Sequence, residues 1–588
     1  MTQNVLWPRI TPRSATALLT SGSMLALGGG AGVLGAVLLA SPAGAATFTV
    51  ANTDNNGIGS LSQAIIDANA AAGADTIEFA PGVTGMINLI TDLPDITDSL
   101  TIRGPGSAAL TISGNTLYHA FTIATAGSGG VTISGLTVDG SDTRWTGESS
   151  GGAIAVTDTA LTLDDVTLTN NQAKPTSAQA FGGGLGVNNA PGTGDVVITN
   201  SVMTNNVAEG TPGGESDGGP VGGGGAWITA DNITVTNSTF SENQADVGAG
   251  IFALARESLT LTSLTVSNNN ATELGGGLVT GGSNIAISDS VVSGNQALEG
   301  IIGGAYIAST AGENSGTVSL TNTRISDNTS ALVGGAFIVG YAEDFNPSLD
   351  RVTITGNVAT DPPDPSTLYS SVGGLLLFGS AEISNSTISN NTGTGMTLST
   401  GSRVTPVSTA GIDPMVNVPN DSKVNISNTT ISGNSADGIF ALTYTAGCGS
   451  VSTASSVSAC AGSLSPQAPA PSLGELVLEH VLAADNGGED VAAPAFSLFS
   501  LIERPNAAVF AGYGSLFGVD PGLLPLESVN DTVSVVPITF GSAAWNAGWP
   551  GFTPPPATDQ RGLPRVVDII DIGAYEVQEA VLLPKFTG

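Results

Sequence analysis

A chain of 588 residues with 80 glycines, 5% aromatic and 11% charged residues, and an abundance of Val, Ile, Thr, Ser and Asn is composed for β-strands and tight turns. Its 14 basic residues lie scattered among 49 acidic ones, for a formal charge of −35. That balance excludes nucleic acid as a partner, because a phosphate backbone needs clustered Lys and Arg, and proline is too sparse for collagen.

The chain opens with Arg9 and Arg13, a glycine-interrupted apolar run from Met24 to Ala40, and the small-x-small triplet Ala43-Gly44-Ala45. This is the layout of a secretory signal peptide, residues 1–45, cleaved after Ala45. An uncleaved anchor is the alternative, but the run is barely long enough to cross a bilayer, so no membrane span is expected after cleavage. Cleavage removes two bases and no acid, taking the charge from −35 to −37.

Residues 46–109 read as an N-terminal cap with the first strands. After the strand FTV, Ser60 and Gln63 form a capping-box signature, and Leu61, Ala64, Ile65 and Ala68 share one helical face before Gly73 stops the helix. A short amphipathic helix here would cover the open end of a solenoid.

From 110 to 440 one sentence repeats. Ser238 to Phe252 reads STFSENQADVGAGIF, and the same grammar returns as LTVSNNNATELGGGL from Leu264, SVVSGNQALEGIIGGAY from Ser290 and TRISDNTSALVGGAF from Thr323. The residue at the Asn position falls at Asn115, Ser141, Asn171, Asn206, Asn243, Asn269, Asn295, Asn328, Asn357, Asn391, Asn434 and Asp485. The shortest interval is 26 residues, enough for three short strands and three turns, which is one coil of a parallel β-helix. Longer intervals carry polar or Gly/Pro-rich insertions such as 210–221 and 361–370, expected as outer loops. With about 4.8 Å between coils, twelve of them would form a rod on the order of 55 Å long. The recurring Asn is expected to be a structural ladder: stacked amides can satisfy one another and the backbone groups of a turn.

Residues 441–472 are Ser/Ala/Pro-rich and contain Cys448 and Cys460, the chain's two cysteines. In an oxidising compartment a disulfide could close that loop, whereas two cysteines without nearby histidines make a poor metal site. Residues 473–588 read as a last degenerate coil, LVLEHVLAADNG, and a separate C-terminal module.

The motifs Gly151-Gly152-Ala153-Ile154 and Phe240-Ser241-Glu242-Asn243 resemble the GGA[ILV] and FxxN repeats of polymorphic outer-membrane proteins. The opening FTVANTDNNGIGSLSQAIIDANAAAGADTIEF, with a closing Thr558 to Pro564, Arg565 and Asp571 to Glu576, resembles bacterial secreted β-helix proteins with a choice-of-anchor Q region. The resemblance implies an all-β, right-handed parallel β-helix that is exported or surface-associated, with adhesion or cell-envelope interaction as its role and a polysaccharide or a host or envelope surface as partner. The sequence departs from it in offering no series of amphipathic barrel strands near the C-terminus and no evident anchor in LPKFTG.

Parallel β-helices also host polysaccharide lyases and glycoside hydrolases, which work in a groove on the rod. Glycoside hydrolysis needs two carboxylates across a cleft, and Asp164-Asp165 is the nearest pair, although neighbours in a strand point to opposite faces. A lyase would combine a basic residue with calcium, for which Arg144 beside Asp139, Asp142 and Glu148 offers the nearest set; otherwise no cofactor is implied. His119 and His480, the two histidines, lack motif-spaced partners. The expectation is therefore a secreted or cell-surface, non-catalytic β-helix for adhesion, glycan binding or envelope scaffolding, with a polysaccharide lyase or hydrolase as the alternative.

Overall fold

The computed structural model describes residues 44–578 except 126–128, 144–148, 175–179, 211–220, 310–315, 341–344, 361–370, 401–421, 444–475, 553–555 and 566–568. The chain is a parallel β-helix. One coil shows how the sequence makes it. The strand Ile251–Thr262 starts on a first face, bends through a register irregularity between Ala255 and Ser258, and continues along a second face. Thr265–Ser267 forms a third face, and Asn270–Leu274 is an outer arm that leads back to the next coil. Each segment pairs in parallel with its counterpart one coil on. Alternation sends Leu259, Leu261 and Val266 into the bore while Thr260, Thr262 and Thr265 face out.

Register stacks the inward residues in columns. Leu163, Ile198, Val235, Leu261, Ile287 and Leu320 follow one another up the second face, all nearly or fully buried. Burial of each such side chain stabilises the coil by roughly 1.5–3 kcal/mol. The interior is filled mainly by Val, Ile and Leu, with Phe121 and Phe240 among its few rings, while Trp227, Phe252, Tyr306 and Phe337 form a second column on the outside of the first face. The arm residues Val247, Leu274, Ile302 and Val333 cover it, so that none of these rings is more than 6% exposed.

Two corners of each coil turn through left-handed residues, mostly Asn or Asp, whose short polar side chains tolerate that conformation. After the second face the following Ser or Thr caps the turn. Ser201 Oγ accepts from the Val166 N–H, and Ser238 Oγ from the Ser201 N–H. After the third face comes the amide ladder. Asn243 donates both its backbone N–H and Nδ2 to Asn269 Oδ1 at 3.0 and 2.9 Å, and Asn269 does the same to Asn295. Each Nδ2 also donates to a carbonyl of the preceding coil, as Asn269 does to Phe240 O. The ladder begins where the Ser141 N–H meets Asn171 Oδ1. It runs through Asn206, Asn328, Asn357, Asn391 and Asn434. Its last rungs are Asn486, rather than Asp485, and the buried carboxylate of Asp490. Asn115 stands outside it, exposed and left-handed, its Nδ2 donating to Leu89 O. The ladder also explains the glycines that accompany it. A Cβ at Gly250 would sit 2.9 Å from Asn269 Nδ2, and Gly277, Gly304 and Gly335 face Asn295, Asn328 and Asn357 in the same way.

The coils extend past residues 110–440 at both ends. Thr47–Val50, Asp75–Phe79 and Leu100–Arg103 already stack in parallel on the second face. At the other end Leu476–Glu479, Ala495–Leu498 and Val509–Ala511 continue it, so three short coils stand where one degenerate coil is expected. Their spacing falls below 20 residues because the outer arm is gone, and the repeat pattern fades with it. Helix α1 (Leu61–Ala70) buries Leu61, Ala64, Ile65 and Ala68 against the first coil. Ser60 Oγ accepts from the Gln63 N–H, but the Gln63 side chain reaches forward to Asp67 instead of back, leaving half a capping box, and the helix ends at an extended Ala71 before Gly73.

Candidate functional site

Of the sequence-derived candidates, Arg144, Cys448, Cys460 and the signal region before residue 44 lie outside the described residues. Asp164 and Asp165 are described and are not brought together. Asp164 ends an outward strand position and accepts from Thr199 Oγ1 and Asn200 Nδ2, both at 2.7 Å, which holds its carboxyl below the usual range. That is the wrong direction for a general acid. Asp165 occupies the left-handed corner and accepts from the Ser107 hydroxyl at 2.6 Å. His119 is buried with Nε2 at 2.8 Å from Gly151 O and Nδ1 at 3.2 Å from Thr122 Oγ1, and burial lowers its pKa. Among the described residues no group of three or more His, Cys, Asp or Glu side chains is placed to hold a metal, and no helix is long and apolar enough to cross a membrane.

The unusual chemistry gathers at the C-terminal end. After the last coil the chain turns back as a strap, its described residues 523–552, 556–565 and 569–577 lying along the outside of the third face. Leu482, Ala484 and Leu501 on the coils bury Ile538, Ala544 and Ile572 of the strap. The outward threonines of the third face supply its polar docking points. Thr353 Oγ1 exchanges hydrogen bonds with Ser534, Thr387 donates to Gln560 Oε1 at 2.6 Å, and Thr430 Oγ1 accepts from the Ala574 N–H.

The closing motifs are the clasp of this strap. Asp559 accepts from Arg561 Nε and Nη2 at 2.8 and 2.6 Å and from the Glu576 N–H, while Arg561 lies 3.7 Å over the Tyr575 ring. Asp571 accepts from the Asn546 and Val577 N–H groups, and Glu576 from the Asp571 N–H. Every carboxylate of the two motifs is thus committed to backbone or Arg561, and burial raises that of Asp571. Arg565 is fully buried, donates from Nη2 to Gly573 O at 2.6 Å and Asn428 O at 3.4 Å, and leaves Nε and Nη1 without partners. Burial pulls it down to about 10 despite the fields of Glu576, Asp559 and Asp571.

Beneath the strap runs the corner between the second and third faces. Asn385 and Asn428 hold it in the left-handed conformation, and then the column changes to His480 and Phe499, with φ of 54° and 45°. A left-handed aromatic is strained where Asn is not, and such strain persists where the surroundings hold it. Here the Trp549 N–H donates to His480 Nε2 at 3.1 Å, which leaves the neutral ring's proton on Nδ1. Burial, and secondarily Arg565, pushes His480 down to about 4. Its ring stacks 5.9 Å from Phe499 and meets Phe552 edge-on at 5.4 Å. Phe499 in turn touches Tyr513 edge-on at 5.6 Å and lies nearly parallel to Trp549 at 6.4 Å.

These rings reach the surface. Among the described aromatics the exposed ones are Phe496 (43%), Tyr513 (81%), Phe540 (69%) and Trp549 (46%), all at this end. Sequence patterning passes over them because they follow no period. The available signal is the crowding of aromatics between Phe496 and Phe552 in a chain otherwise poor in them.

The chain matches no protein-family model, no curated protein and no solved structure.

Proposed function

We propose that this protein is a secreted or cell-surface β-helix without catalytic activity, serving adhesion, glycan binding or envelope scaffolding, akin to the choice-of-anchor Q proteins its flanking motifs resemble. The observation that carries the proposal is the fate of the carboxylates. Asp164, Asp165, Asp559, Asp571 and Glu576 are all tied into turns or into the clasp by hydrogen bonds. A solenoid whose acids hold its corners and whose exposed rings cluster at one end is suited to contact rather than to bond cleavage. The test is to incubate the purified mature chain with neutral and acidic glycans, with and without calcium, and to record both retention and depolymerisation. Retention or inertness without cleavage is expected; release of oligosaccharides would establish a lyase or hydrolase instead.

A further inference from the structure

We infer that Trp549, Phe499 and Tyr513 at the C-terminal end form a ledge that stacks the pyranose rings of a neutral polysaccharide. The inference rests on the scaffold reading above and assigns its ligand class and binding residues.

The ledge is built rather than incidental. Tyr513 sits between Gly512 and Gly514, and neither glycine could carry a side chain. A Cβ on Gly512 would sit 2.4 Å from the Ser497 carbonyl oxygen, and one on Gly514 would run into the Phe499 ring, with φ +76° at Gly514 adding strain. The Phe499 ring therefore lies against the bare backbone of Gly514 and meets the Tyr513 ring edge-on. Phe499 is itself locked by His480 below and Trp549 beside it. The result is a rigid set of rings, Trp549, Phe499 and Tyr513, in direct contact and open to solvent at both ends. Rigid, amphipathic aromatics lose little entropy on binding and present flat apolar faces, which match the C–H face of a sugar ring.

Charge selects among occupants. Among the described basic residues of the C-terminal end, Arg561 is held by Asp559, Arg565 is enclosed, and Arg504, 45% exposed, faces Asp490 at 3.7 Å. A uronate polymer would meet a strongly acidic chain, with Arg504 the one partly exposed base among these three. A second copy of the chain would bring another 35 negative charges against the first. A neutral glycan meets neither obstacle. Its hydroxyls could donate to Glu479, which stands next to His480 in sequence and pairs with Leu498 one coil on, and could exchange with Ser515, whose hydroxyl lies 2.8 Å from Ser497 Oγ.

The test uses the full mature chain in affinity electrophoresis and fluorescence titration against neutral glucans and mannans, with polygalacturonate as the charged comparison. Neutral polymer should bind, and Tyr513→Ala should raise its Kd about five- to tenfold, in line with the loss of one stacked ring. Tyr513→Trp should keep affinity, and Phe540→Ala, whose ring packs on Trp545 rather than on Phe499, Tyr513 or Trp549, should leave it unchanged. Absence of neutral-glycan binding, equal binding by Tyr513→Ala, or preference for polygalacturonate would overturn the ledge while leaving the scaffold reading in place. Concentration-dependent dimers abolished by Tyr513→Ala would assign the rings to a second copy. Depolymerisation would overturn the scaffold reading, and the Tyr513 series would still decide whether the ledge holds the substrate.

Discussion

Aromatic rings occur in two columns of this molecule, and the two have opposite fates. On the first face of the middle coils, Trp227 stacks on Phe252 with centroids 3.7 Å apart and planes 2° from parallel, sealed under an outer arm. At the C-terminal corner, Phe499 meets Tyr513 edge-on at 5.6 Å and Trp549 at 6.4 Å, a looser arrangement in which Tyr513 and Trp549 remain open. The strands beneath have the same pitch and parallel pairing in both places. What differs is the place: the arm covers the outside of the first face, whereas Phe499 lies at the corner between the second and third faces. Middle coils spend five residues such as Asn270–Leu274 on covering the rings, and the short terminal coils have none. The strap clamps the corner from one side only. Rings in register on a covered face thus serve as cement, and rings gathered at an uncovered corner as surface.

The sharpest way to break this comparison is at the strap. Arg565→Ala removes a buried cation that bonds to Gly573 O and Asn428 O and offsets three carboxylates, a loss worth about 3–5 kcal/mol. Residues 523–577 should lose hydrogen-exchange protection and become cleavable by protease, while coils such as 226–400 keep theirs, since solenoid repeats respond locally. Protection retained across the strap would mean that Ile538, Ala544 and Ile572 hold it alone. Phe252→Ala should cost slightly less, about 3–4 kcal/mol, through a cavity between Trp227 and Val279, and should be read as a local fall in protection of the middle coils.

A smaller effect is expected from acid. His480 titrates near 4 in the docked corner but near its ordinary 6.5 when released, so the docked form is favoured in full above pH 6.5. As pH falls from 6.5 toward 4, the released ring takes up a proton that the docked ring refuses, and docking weakens by up to about 3 kcal/mol. Asp571, raised by burial, works in the opposite sense at the low end of that window. The difference between wild type and His480→Asn isolates the histidine. Asn suits the left-handed corner already used by Asn385 and Asn428, so the variant should show a flatter dependence of strap protection on pH. Parallel profiles for the two proteins would exclude the ring as the sensor.

Much of this fold is legible in the sequence because a period constrains it. The spacing of Asn243, Asn269 and Asn295, and the alternation in LTVSNNN, carry the coil, its inward face and the ladder position, since each coil must repeat the same contacts to stack. Legibility fails where the period does. Asn115 matches the local motif yet stands outside the ladder, because the first coils are closed by different turns. Asp485 is passed over for Asn486 because the left-handed residue and the amide are neighbours, and spacing alone cannot tell which is which. The closing motif is recognisable as a string, but its meaning as a clasp depends on Thr353, Thr387 and Thr430, more than 130 residues upstream. The ledge leaves the faintest trace, since contact between Trp549 and Phe499 is made by folding the strap back over the coils.

The smallest expected effect on stability is the most telling for function. Tyr513 is 81% exposed and contributes one edge contact to Phe499, so Tyr513→Ala should change stability by less than about 0.5 kcal/mol. Set beside Phe252→Ala, the pair separates rings that hold the molecule together from rings that hold something else. Thermal melts and exchange profiles of Tyr513→Ala indistinguishable from wild type, combined with weakened neutral-glycan retention, would divide the two columns by role. A destabilisation approaching that of Phe252→Ala would show instead that the terminal rings are packing, that the open edge of the last coil depends on them, and that the two regions differ in exposure but not in purpose.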